Sequence, residues 1–316
     1  MDTYYKNYYR NYLKRYVLCN QLTESFGENG TRLFFSVALA KKNKKKLVCL
    51  SGNKLQNKYF KDLFIKDIKI IWINYPLSKI LIFFFDYYFF LLQKLKLFSK
   101  KKTIENLKKL SYIDISRYDL CVNFNLKFNY KFYDSFEISN KTCLIHLREK
   151  VGDKRDVKNY KSYYPLIKYI CNEMNYDCYL ISNNAKIFKD MPYNNLINLK
   201  LDDNGKKKFF SIIMKSEYFI GSDSGAEQFT YLNPNIKVLV TNSVNLVGSW
   251  RQIKGQLMLP KNIFKNKICV NNNFEELEKY IIRGDNKNYT LKENSSKQLL
   301  DAFKELRLND HCIKYL

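Results

Sequence analysis

A chain of 316 residues exceeds the usual size of one core, and a hydrophobic content of 46% is enough to fill two, so two domains of roughly 150 residues each are expected. Lys and Arg outnumber Asp and Glu by 55 to 30, a formal charge of +25 spread along the whole chain that favours anionic partners: nucleic acid, anionic membrane or phosphorylated substrates. No nucleic-acid-binding signature is present and Lys runs such as KKNKKK (41–46) read as solvated, so no specific nucleic-acid partner is expected.

The N-terminal MDTYYKNYYRNYLKRY carries charge and Tyr but no apolar core, so no signal peptide is read there and a cytoplasmic protein is expected. YVLCNQ (16–21), KLVCLSG (46–52) and IKIIWINYP (68–76) read as strands, with a helix over TRLFFSVALAKKN (31–43) between the first two. LSKILIFFFDYYFFLLQKLKLF (77–98) has the length of a membrane span, yet Lys79, Asp86, Gln93, Lys94 and Lys96 interrupt it, and charges in mid-helix are expensive in lipid. Two readings remain for it: a core helix, or a helix lying on the inner membrane face with its Lys-rich end on anionic head groups. LCVNFNLKF (120–128) reads as another strand, and the polar, unpatterned NYKFYDSFEISNK (129–141) bridges to a new apolar run. This sets a boundary between residues 135 and 136.

The second half repeats the alternation. TCLIHLRE (142–149), DCYLISN (177–183), EYFIGSDS (217–224) and IKVLVTN (236–242) read as strands, separated by helices at 163–175, 206–216 and 225–232. Alternating strands and helices imply parallel sheets, and two such halves make an α/β protein of two Rossmann-like domains facing a cleft. The last helix is left free to pack back on the first domain. Eight cysteines (19, 49, 121, 143, 171, 178, 269 and 312) lie apart, without the close pairs of a zinc site, and read as buried, reduced thiols.

In such sheets ligands gather at the carboxyl ends of the strands. One strand ends on Gly221, followed by Ser222, Asp223, Ser224 and Gly225, which offers hydroxyls and backbone N–H groups to an anion. The same cluster also suits a plain helix cap. His146 and Arg148 alternate on one strand face before a loop with Asp153 and Arg155. Arg148 suits a phosphate by its forked guanidinium, or an ion pair with Glu149 or Asp153, while His146 also suits a hydrogen-bonded core position. A third strand ends on Thr241 and Asn242, placed for ribose or sugar contacts or for an ordinary Asn turn.

The order HLRE (146–149), GDKRD (152–156), YYPLIKYI (163–170), YLISNN (179–184), FFSIIMKSEYFIGSDSG (209–225) and VLVTN (238–242) resembles a family of glycosyltransferases related in pattern to the GT-B enzymes that build bacterial surface polysaccharides, heptosyltransferases among them. The matching positions are His146 and Arg148, Tyr164 and Pro165, Gly221, Ser222, Ser224 and Gly225, and Thr241 and Asn242. The His-x-Arg followed by Gly-Asp is also similar to the sugar-nucleotide motif of some fucosyltransferases. Heptosyltransferases place a His three residues after the motif glycine, where this chain has Gln228, so a heptose substrate is not implied.

The resemblance implies a GT-B-like fold and inverting transfer of a sugar from a nucleotide-sugar donor to a glycan or lipid-linked acceptor, with no metal and no cofactor beyond the donor. The leaving diphosphate needs positioned donors, a role for Ser224, the Gly225 N–H, Arg148 and Arg155. A base must take the acceptor proton, and in a GT-B arrangement it comes from across the cleft. LTESFGENGT (22–31) offers Glu28 beside its glycine turn and Glu24, with Asp153 the alternative if the geometry is reversed. Either glutamate also suits a solvated first turn of the following helix. A catalytically inactive nucleotide-binding or envelope-assembly protein of the same fold remains the alternative function.

Overall fold

The computed structural model describes residues 16–21, 30–51 apart from 31, 32, 35, 39 and 42, then 69–94, 136–148, 156–243 apart from 183, 185, 223 and 234, then 256–270, 288–308 and 314–315. Two compact units divide the chain, Met1–Phe132 and Tyr133–Leu316.

In the first unit β1 (Tyr16–Gln21), β2 (Lys46–Ser51) and β3 (Ile70–Ile73) form a parallel sheet in that order, with Cys19 opposite Cys49 and Cys49 opposite Trp72. Parallel neighbours need a crossover. Between β1 and β2 the described residues from 30 to 41 are helical and bury Leu33, Phe34, Val37, Ala38 and Ala40. A helix α1 (Leu77–Lys94) follows β3. Its Ser78 is fully buried and donates its hydroxyl hydrogen to the Ser51 carbonyl, while Ile82 and Leu81 pack on Val48 and Leu50 of β2. Only one face of α1 is therefore core. No helix among the described residues is long and apolar enough to cross a membrane.

The second unit is built on seven strands, all parallel: β4 (Thr142–His146), β5 (Asp177–Ile181), β6 (Leu196–Asn198), β7 (Tyr218–Ser222), β8 (Lys237–Ser243), β9 (Gln256–Pro260) and, late in the chain, β13 (Lys314–Tyr315). Their spatial order is β13-β9-β8-β7-β4-β5-β6. The chain thus enters at β4, lays β5 and β6 to one side, then crosses back to β7 on the other.

Strand alternation sends Cys143, Ile145, Tyr218, Ile220, Leu239 and Leu257 into one core. There they meet Tyr163, Leu166, Ile167 and Ile170, from a helical stretch that runs as a 3-10 turn (Tyr160–Tyr163), the α-helix α2 (Tyr164–Lys168) and a π turn (Tyr169–Glu173). Pro165 sits in the first turn of α2, where its missing N–H costs nothing. A short α3 (Lys186–Asp190) follows β5. Helix α4 (Asp203–Lys215) starts earlier than its apolar run suggests, because Asp202 caps it by accepting from the Gly205 N–H at 2.7 Å. Phe209 and Phe210 of α4 meet Phe229 edge to face at 5.7 and 5.3 Å between ring centres.

Past Asn242 the structure departs from the sequence reading, which placed no strand there. Besides β9 and β13, an antiparallel side sheet forms from β10 (Asn262–Lys265), β11 (Ile268–Cys269) and β12 (Tyr289–Lys292), in the order β11-β10-β12. On the helix α6 (Ser296–Leu308), Leu299, Ala302, Phe303 and Leu306 complete the core of its own unit, with Phe303 5.1 Å from the Tyr218 ring.

Candidate functional site

The connections leave β4 and β7 in opposite directions, which makes their carboxyl ends the switch point of the sheet, where the crevice of an open α/β sheet forms. His146 ends β4 opposite Gly221, and Ser222 ends β7. A Cβ on Gly221 would stand 2.9 Å from the His146 carbonyl oxygen and 3.1 Å from Phe219 Cζ, so only glycine lets the two strands lie this close at the site.

After β7 comes the helical turn α5 (Gly225–Gln228), with Ser224 extended at the N-cap position. Its side chain makes no cap bond there. Ser224 Oγ lies instead 2.9 Å from His146 Nδ1, joining the ends of the two strands. Burial, and then the positive charge of Arg148, lower the His146 pKa to about 4, so the ring is neutral at physiological pH. When Nδ1–H donates to Ser224, the serine keeps its own hydrogen for another acceptor. Ser222 is wholly buried, and among the described residues its Oγ has no hydrogen-bond partner.

Arg148 follows on the same strand face, its side chain 16% exposed, with Nε 4.0 Å from Asp156 Oδ1. Arg148 thus faces Asp156, at the far end of the same loop, while Glu149 and Asp153 lie outside the described residues. The Val157 N–H donates to the Arg148 carbonyl at 2.8 Å, and buried Lys261 donates to the Asp156 carbonyl at 3.0 Å. Two largely buried cations therefore flank this loop end.

Thr241 and Asn242 do stand at the end of β8, but both are fully buried with their side chains engaged. Tyr163 Oη is 2.7 Å from Thr241 Oγ1 and accepts from Asn242 Nδ2 at 3.0 Å. Asn242 and Asn294 exchange two bonds: each backbone N–H donates to the other's side-chain oxygen, at 2.7 and 2.8 Å. Asn294 Nδ2 donates to the Pro260 carbonyl at 2.7 Å. Asn242 takes φ 50, a left-handed conformation that Asn tolerates well. This network ties the 3-10 turn before α2, β8, β9 and the residues just before α6 together. Burial raises the Tyr163 pKa to about 12, so its hydroxyl stays neutral.

Glu24, Glu28, Asp153, Arg155 and Asp223 lie outside the described residues. His146, Arg148, Ser222, Ser224 and Gly225 gather around the β4–β7 crevice. Sequence reasoning missed Asp156, Lys261, Tyr163 and Asn294. Asp156 had a signal, as the last acid of GDKRD, and Tyr163 stood beside the Tyr-Pro pair; Lys261 and Asn294 had none, because their roles arise from contacts over distances such as the 105 residues between Asp156 and Lys261. Among the described residues no group of three His, Cys, Asp or Glu could hold a metal ion.

No family model matches the chain, and no curated protein matches it in sequence. Solved structures do. A glycosyl transferase of family 9 from Veillonella parvula aligns over 93% of this chain and 98% of its own, at 11% identity and a TM-score of 0.53. The dodecameric iron-containing heptosyltransferase TibC of enterotoxigenic E. coli, in complex with ADP-D-β-D-heptose, aligns over 92% of this chain and 76% of its own at 9% identity, TM-score 0.46. The α-1,6-fucosyltransferase NodZ from Bradyrhizobium, soaked with GDP-fucose, aligns over 70% and 93% at 11% identity, TM-score 0.40. With a parallel main sheet in each of its two units and a match along nearly its whole length to the family 9 glycosyl transferase, the chain has the GT-B-like α/β fold that its sequence leads one to expect.

Proposed function

We propose that the chain moves a sugar from a nucleotide-sugar donor to a glycan or lipid-linked acceptor of surface-polysaccharide synthesis, with inversion and without a metal ion. The observation that carries this reading is the His146–Ser224 contact across the β4–β7 crevice, with Arg148 beside it. The donor diphosphate lies at that crevice, where the Ser224 hydroxyl and the Gly225 N–H donate to its oxygens and the Arg148 guanidinium offsets its charge. Arg155, Asp223 and Ser222 are assigned to the same donor site from their places in the sequence. Thr241 and Asn242 act by fixing the end of β8, since their side chains are already bonded.

In the reaction the acceptor hydroxyl oxygen attacks the anomeric carbon from the side opposite the diphosphate. The bond from that carbon to the phosphate oxygen breaks, and the nucleoside diphosphate leaves with the electron pair. A carboxylate takes the acceptor proton: Glu28 or its neighbour Glu24, with Asp153 the alternative. The half-buried, neutral His146 is not the base in this scheme; it orients Ser224.

Thermal-shift measurements against UDP, GDP, CMP and ADP sugars test the reading and identify the donor class. A stabilising nucleotide sugar is expected, with binding weakened by at least about 1.5 kcal/mol in Arg148→Ala, as for a lost charge-assisted contact. Silence against all four classes, or unchanged affinity in the variant, overturns it. Binding without release of nucleoside diphosphate in the presence of acceptor glycans would instead favour the catalytically inactive binding protein.

A further inference from the structure

Helix α1 carries an apolar face that the fold leaves open. Leu77, Ile80, Phe83, Phe84 and Tyr87 are 55%, 50%, 68%, 62% and 55% exposed. At 3.6 residues per turn they fall within an arc of about 120°, centred opposite Ser78 and Ile82, which face β2. Tyr75, half exposed, extends the patch past the helix start. Scattered apolar residues on a surface are ordinary, but a contiguous aromatic stripe on one helix marks a surface that is covered in use.

Charge selects what covers it. Lys79 is exposed at the edge of the stripe, Asp86 is the single acid in the helix, and the sequence continues from Lys94 through Lys96 to Lys100, Lys101 and Lys102. A second copy of a chain of net charge +25 would meet this face with like charge, whereas anionic lipid meets it with opposite charge. Phe and Tyr on one side of a helix with Lys at its border and end is the pattern that settles at the head-group boundary. We propose that the outer face of α1 docks on an anionic bilayer surface, with Phe83 and Phe84 entering the boundary region and the Lys residues on the head groups. The docking is peripheral, through one face of the helix, and stands independently of the donor reading above.

The test is co-sedimentation of the full chain with vesicles of phosphatidylcholine, with and without phosphatidylglycerol, at low and high salt, for the wild type and for Phe83→Ser/Phe84→Ser. Binding to the anionic vesicles is expected, weakened by salt and lowered at least about tenfold by the double substitution. The exposed positions leave the thermal melting of the variant unchanged, and any stabilisation by a nucleotide sugar should survive, so failure here is distinguishable from failure of the donor site. Equal binding of variant and wild type, equal binding to neutral vesicles, or no binding at all overturns the proposal. So does a dimer in sedimentation velocity that the double substitution makes monomeric, which would give the face to a second copy.

Discussion

His146 makes the candidate site measurable through pH. In the folded chain its pKa is about 4, against 6.5 for an unperturbed histidine, with burial the main cause and Arg148 the second. Above 6.5 neither the folded nor the unfolded chain protonates this ring, and the full stability is present. Between 6.5 and about 4 the unfolded chain takes up a proton that the folded chain refuses, so stability is lost as pH falls through that window. At about 1.4 kcal/mol per pH unit, the expected loss between about pH 7.5 and about pH 4.5 is at most about 2.5 kcal/mol, an upper figure because the ring is only partly screened from water.

The chain has just two histidines, His146 and His311, so their resonances can be followed by NMR and assigned with His146→Asn. Urea unfolding of wild type and variant at both pH values should show the wild type losing stability relative to the variant by up to that amount. Adding a nucleoside diphosphate should raise the His146 pKa, because a nearby negative charge favours the imidazolium. A free-protein His146 resonance titrating near 6.5, or wild type and variant losing stability in parallel across the window, refutes the argument.

Ser224→Ala removes the hydrogen bond to His146 but no helix cap, so a stability loss of about 1 kcal/mol or less is expected alongside a clear loss of nucleotide binding. Intact binding in calorimetry would count against Ser224 as a phosphate donor. Gly221→Ala forces a methyl group against the His146 carbonyl, and a loss of about 1–3 kcal/mol is expected in chemical denaturation. An unchanged midpoint would show that β4 and β7 part without strain. Tyr163→Phe leaves buried Thr241 and Asn242 short of a partner, at a cost of about 1–3 kcal/mol. A variant as stable as wild type by thermal melting would mean that the network is not holding β8.

The strands from Tyr16 to Ser243 were largely legible because the evidence for them is local. Short apolar runs between polar turns gave β1, β2, β3, β4, β5, β7 and β8, and their alternation with helices dictated parallel pairing. The strand-end position of His146, Arg148 and the Gly-Ser-Asp-Ser-Gly turn was legible for the same reason. The cap role of Ser224 was a fair local reading too, since an N-cap serine normally bonds its own helix. What redirects it is His146, 78 residues away in sequence and brought close only when β4 and β7 pair.

The later strands were not legible. β6 and β11 have three and two residues, too few to show a period, and β10 (NIFK) and β12 (YTLK) have four each, with only two apolar positions apiece. The aromatic segment at 77–98 shows the same division. Its composition read as a helix, in the core or on a membrane face, and which side of α1 is buried followed only from the pairing of Ser78 with Ser51.

By itself, then, the sequence determined which segments extend, which coil and where the polar strand ends fall, because backbone preference and hydrophobic period act between near neighbours. Only the tertiary structure decided that Arg148 pairs with Asp156, that Thr241 and Asn242 spend their side chains on Tyr163 and Asn294, and that His146 loses its proton. Each of these depends on burial and on partners distant in the chain. A side chain's hydrogen-bonding capacity is written in its type, but whether it is free for a ligand is settled by what folding has already placed against it.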